Sequence, residues 1–130
     1  MRRPGLVLLG IAALGAAGVV AAADAADPAT IARGKGVFRQ ACAPCHAAGP
    51  GIDGSPMLPG AAALAVKYQG KVSPLLEERS DLTAEVIKVY VRNGSGTMPM
   101  FRQTEISDTE IAAVAAYLAA AARAATRSGR

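Results

Sequence analysis

Two cysteines and one histidine stand together in Cys42-Ala43-Pro44-Cys45-His46, and the chain of 130 residues contains no other Cys or His. Thiols three positions apart project from one helical turn, near enough to add to the two vinyl groups of a single porphyrin. The next residue then brings an imidazole beneath the iron. CxxCH is the spacing of c-type haem attachment, so the sequence predicts one covalent haem c linked to Cys42 and Cys45 with His46 as an iron ligand. A structural zinc site would have to complete its ligand set from carboxylates, against the usual Cys and His sets. A thioredoxin-like redox pair wants a βαβ context that the chain does not offer.

A lone histidine also rules out bis-histidine ligation within the chain, so a different side chain must be the sixth ligand. Met57, Met98 and Met100 supply thioethers, the soft ligand found opposite His in cytochromes c. Met98 is the choice, because it follows Gly94-Ser95-Gly96 and precedes Pro99, a segment whose glycines let backbone approach a flat macrocycle. Met57 and Met100 are read as packing residues. With no Trp, two Phe and three Tyr, the chain has few large side chains for a core, and a porphyrin would add the missing apolar area.

The elements that must position these groups are helical. Asp27-Pro28 starts a helix running to about Ala43, with Ile31, Gly34, Val37, Phe38 and Ala41 at helical spacing. Ala47 to Gly60 is rich in Gly and Pro and reads as loop, and Ala61 to Tyr68 as a short helix stopped by Gly70. Thr83 caps a third helix that ends at Asn93-Gly94. Ser107 and Glu110 form a capping box, with Ile106 and Ile111 as a hydrophobic staple, for a last helix from Asp108 to about Arg123. No alternating strand pattern interrupts them, so the fold class is all-α.

Met1-Arg2-Arg3, the uncharged run Pro4 to Ala23 and the exit Ala21-Ala22-Ala23 predict a signal peptide over residues 1–23, ahead of a single domain over 24–130. The run approaches the ~20 residues of a membrane span, but it is mostly Ala and Gly. Export to the periplasm with no stable membrane insertion after cleavage is expected, retention as an anchor being the alternative. Of 14 Lys and Arg, removal of Arg2 and Arg3 leaves 12 against 10 Asp and Glu. No basic face remains for nucleic acid. Arg123, Arg127 and Arg130 read as a short, solvated basic tail.

From about Ile31 to Leu118 the chain resembles class I cytochromes c. Gly34, Phe38 and Cys42 recur at intervals of four as in that family's N-terminal helix, and Val91–Phe101, VRNGSGTMPMF, resembles its methionine loop. The resemblance implies that the first and last helices cross with Gly34 against Val114 or Tyr117, and Leu118 nearby. SPLLEER, Ser73 to Arg79, with the VRNG segment, also resembles the small cytochrome subunits of p-cresol methylhydroxylase-type flavocytochromes. That likeness implies that the Pro74 carbonyl accepts from the ring N–H of His46 and that Arg79 faces a propionate. An insertion containing Ala61 to Gly70 separates His46 from Pro74, which leaves Pro50, Pro56 and Pro59 as other candidates for the histidine.

The expected function is single-electron transfer, not catalysis, with a redox partner such as a flavin or quinoprotein dehydrogenase. The rivals are a haem enzyme or small-ligand sensor with an open sixth site, and a membrane-anchored module of a respiratory complex. The first would need a polar distal residue; the chain has no distal His, and Arg79, Arg92 and Arg102 read as propionate partners or surface charges.

Overall fold

A computed structural model describes residues 26–129; the expected leader, residues 1–23, lies outside them. The fold is all-α. Among the described residues the elements are α1 Pro28–Val37, a π-helical turn Phe38–Cys42, α2 Ala43–His46, α3 Pro59–Tyr68, a 3₁₀ turn Leu76–Glu78, α4 Ala84–Asn93 and α5 Asp108–Ser128. The only extended pairing among them is an isolated bridge between Ser95 and Met98. No described helix is long and apolar enough to cross a membrane.

Local chemistry sets the helix starts. Asp27 Oδ1 accepts from the amides of Ala29 and Thr30 at 3.0 Å, and Pro28 takes the first position, where it has no amide to leave unpaired. Thr83 Oγ1 accepts from Val86 N at 3.3 Å to open α4. The capping box of α5 is complete: Glu110 N donates to Ser107 Oγ at 3.2 Å, and Ser107 N donates to Glu110 Oε2 at 2.8 Å. Ile106 and Ile111 are buried in one cluster on either side of that cap, as a staple requires.

Three boundaries differ from the sequence reading. The first helical rod continues past Ala43 to His46 by way of the π turn. α3 begins at Pro59 instead of Ala61, and it ends where Gln69 and Gly70 turn left-handed, at φ 49 and 77. α5 runs to Ser128, so Arg123 and Arg127 sit on a helix and not in a tail. Nothing between Arg123 and Ser128 breaks a helix, and Ala is the best helix former.

α1 crosses α5 at Gly34. A Cβ built there would lie 2.9 Å from Val114 N and closer still to the Ala113 carbonyl. The resemblance placed Val114 or Tyr117 at this point; the contact is the backbone of Ala113 and Val114. Close approach lets Phe38, Val114 and Leu118 bury one another, with Cys42, Leu76, Leu82 and Tyr117 packed around them. The Phe38 and Tyr117 ring centroids are 5.5 Å apart in a tilted pair, and the Tyr117 hydroxyl donates to Glu77 in the 3₁₀ turn. A second cluster, Val91, Ile106 and Ile111, lies between α4 and α5, with Met98 and Phe101 against it.

Candidate haem site

The motif sits at the end of the first rod, and the sequence shows why the rod widens there. Pro44 has no amide hydrogen, and its ring crowds the carbonyl four residues back, that of Gln40. Ahead of it the helix opens to five-residue spacing, with Ala43 N–H donating to Phe38 O. Cys42 closes this wide turn, and Cys45 and His46 leave the rod from the next one.

Both cysteines are free, Cys42 half-buried beside Phe38 and Cys45 exposed. Burial, and then the neighbouring Cys45, pushes the Cys42 thiol up to about 11, so it is neutral before any thioether forms. His46 is half-buried at the end of α2. Burial holds its imidazole below the ordinary 6.5, which leaves the ring neutral at pH 7 and able to ligate a metal.

One ring nitrogen is enclosed by the protein. His46 Nδ1 is buried and has no hydrogen-bond partner among the described residues. The amino end of α3 closes over it: a Cβ built on Gly60 would lie 2.7 Å from His46 Cε1, 2.8 Å from Nδ1 and 2.7 Å from Cys45 O. Any side chain there would strike the ring. Two free thiols one turn apart, a neutral imidazole and a backbone cradle against its Nδ1 face fit a haem c attached at Cys42 and Cys45. Among the described residues no three His, Cys, Asp or Glu side chains converge, so a zinc site has no ligand set.

Pro74, half-buried, makes no hydrogen bond to His46 Nδ1, and neither does Pro50, Pro56 or Pro59. Arg79 is 8% exposed. Its Nε donates to Asp81 Oδ1 at 2.9 Å, and its guanidinium lies 4.7 Å from the centroid of the Tyr68 ring. Lys67 Nζ is 5.4 Å from the ring centroids of both Tyr68 and Tyr90, which ties α3 to α4.

Met98 lies in a tightly folded loop. Ser95 N donates to Met98 O at 3.1 Å and Met98 N to Ser95 O at 3.0 Å. The turn needs Gly94 at φ 67 and Gly96 at φ 58, and a Cβ on Gly94 would lie 2.7 Å from Met98 O. Met98 is half-buried against the Val91 cluster. Met57 is half-buried in the loop before α3. Met100, read from sequence as a packing residue, is 64% exposed.

Two residues with a part in this geometry escaped the sequence reading. Gly60 looked like one more loop glycine, and its contact with His46 depends on how α3 folds back. Arg92, read as a surface or propionate charge, is half-buried and donates to Phe101 O, Ile106 O and Asp108.

No curated protein matches the chain. A family model described as cytochrome C oxidase, cbb3-type, subunit III matches residues 29–118. That span holds the cysteine motif, the methionine loop and the crossing of α1 with α5. The chain therefore belongs to this family, and it is a class I c-type cytochrome domain of the kind that binds haem c and serves electron transport.

Proposed function

We propose that the chain is an exported mono-haem electron carrier with His46 and Met98 as the axial ligands. One observation carries the reading: the sole histidine directly follows the two free cysteines, and the backbone at Gly60 crowds its buried Nδ1, so Nε2 is the nitrogen left for iron. Bound haem supplies a one-electron couple between ferrous and ferric iron.

The protein's own groups make that couple a carrier's. His46 presents a neutral ring held by the amino end of α3. Met98 presents a thioether from a loop pinned at both ends. Held by His46 and Met98, a bound haem iron would be kept from water and small ligands. A soft thioether favours the reduced metal and so raises the potential.

The leader-like start of the sequence supports a periplasmic location, and the SPLLEER and VRNG segments support a flavin or quinoprotein dehydrogenase as electron donor. The family description names an oxidase subunit, which favours a second reading, a cytochrome module feeding a terminal oxidase. The intact mass of the purified protein separates the two addresses, since a carrier released to the periplasm lacks residues 1–23 and an anchored module keeps them.

The ligand set is tested by spectra of two variants. Met98→Ala is expected to lose the weak ferric methionine band, lower the potential and admit carbon monoxide. Met100→Ala, at an exposed position, is expected to leave all three unchanged. Loss of the band in Met100→Ala but not in Met98→Ala reverses the assignment, and loss in neither favours the open-site alternative.

A further inference from the structure

We propose that Arg92 is the positioning residue that keeps Met98 in place, by clamping shut the loop between α4 and α5. The proposal rests on Met98 as the sixth ligand.

Arg92 is the penultimate residue of α4, six positions before Met98, and its guanidinium reaches across the base of the loop. Nη1 donates to Phe101 O at 3.0 Å, while Nη2 donates to Ile106 O at 2.7 Å and to Asp108 Oδ1 at 2.7 Å. Three of its five N–H groups are thus engaged, all by protein oxygens. Two of the acceptors are backbone carbonyls on the far side of Met98, and the third is the first residue of α5. Lys88 Nζ, 2.6 Å from Asp108 Oδ2, holds that carboxylate from its other side.

The remaining fastenings of the loop are local or neutral. Ser95 and Met98 close a turn on each other, and Phe101 N donates to Val91 O at 2.7 Å. Among the described residues Arg92 is the one side chain whose hydrogen bonds join the end of α4, the segment after Met98 and the start of α5. Hydrogen bonds from a cation are about twice as strong as neutral ones, and the planar fork fixes direction as well as distance. Lysine has one nitrogen on a flexible stem and cannot span three separated oxygens. The chemistry therefore requires arginine, not merely a positive charge.

The test is the rate at which imidazole displaces the methionine ligand in the full-length ferric protein, followed by loss of the methionine band. Exchange waits on loop opening, so Arg92→Met is expected to accelerate it about tenfold or more. Arg92→Lys is expected to remain fast. Asp108→Asn, a milder change for use if Arg92→Met does not fold, is expected to give an intermediate rate. Wild-type exchange in Arg92→Met or in Asp108→Asn overturns the clamp. So does restoration of the wild-type rate by Arg92→Lys, because any cation would then serve. Met98→Ala is measured alongside: an unchanged spectrum removes the ligand reading and the clamp with it. A lost band with normal exchange in the Arg92 variants removes the clamp alone.

Discussion

Adding one methyl group at Gly34 probes the contact on which the whole fold closes. An ordinary Cβ contact is 3.4–4 Å. The built atom is 2.9 Å from Val114 N and falls still shorter at the Ala113 carbonyl, so α1 and α5 must part by an appreciable fraction of an ångström or more. The obstacle is helix backbone, which cannot rotate aside as a side chain would. Separation also loosens Phe38 from Val114 and Leu118, two of the pairs that make the first cluster. Overpacking of this kind costs about 1 to 3 kcal/mol, against which the better helix propensity of Ala returns up to about 1 kcal/mol. Gly36 supplies the control, since a Cβ there meets nothing within 4 Å and Gly36→Ala carries the propensity gain alone. With roughly 4–8 °C per kcal/mol for a domain of 60–100 residues, Gly34→Ala should melt several degrees below wild type and Gly36→Ala slightly above it. Thermal unfolding of the ferric protein followed by far-UV circular dichroism reads both. If the two alanine variants melt together, the crossing is not at Gly34 and the reasoning fails; Gly34→Val should show the same loss enlarged.

Gly60→Ala should disturb the haem ligand itself, because its methyl meets the His46 ring and Cys45 O together. A shifted reduction potential and altered ferric paramagnetic resonance are expected, and wild-type values in both would falsify the cradle. Acid should weaken the start of α5. Hydrogen bonds from Lys88 and then Arg92 hold Asp108 below the ordinary 3.8, and bonds from the Ser107 backbone and then its side chain hold Glu110 below 4.5. Depressed folded-state values mean that this stabilisation is present above the unfolded carboxylate range and is lost as pH falls through the folded values. Urea midpoints should therefore drop below about pH 4, with a shallower decline in Asp108→Asn; an equal slope in the two proteins would dismiss the contribution.

Much of this architecture was legible because its signals are local. A cap works within four residues, so Asp27, Thr83 and the Ser107–Glu110 pair could be read directly, and each starts a helix where the reading put it. CxxCH is likewise self-contained. Positions that depend on how distant segments meet were harder. Pro74 and Arg79 came from likeness alone. In the fold Arg79 turns to Asp81 and Tyr68, and Pro74 makes no bond to the His46 ring. Arg92 carries no mark in sequence, since its three acceptors lie 9 to 16 residues away on a loop whose path no pattern specifies. The end of the first helix lies beyond the expected Ala43 for a different reason: the chain accommodates Pro44 by widening one turn, and the rod continues to His46.

That wide turn gives the first rod two angular settings. An α-helix advances about 100° per residue, so faces established at Gly34 and Phe38 would dictate where Cys42, Cys45 and His46 point if the winding were uniform. The π turn Phe38–Cys42 breaks the dependence. Upstream, the orientation is set by the need to lay Gly34 on the α5 backbone; downstream, by the need to face the macrocycle and the amino end of α3. The extra residue of the turn is therefore taken up by its wider winding. Taking one residue out would restore ordinary i→i−4 winding, with the cysteines and the histidine on nearly the faces they now occupy and the crossing with α5 where it is.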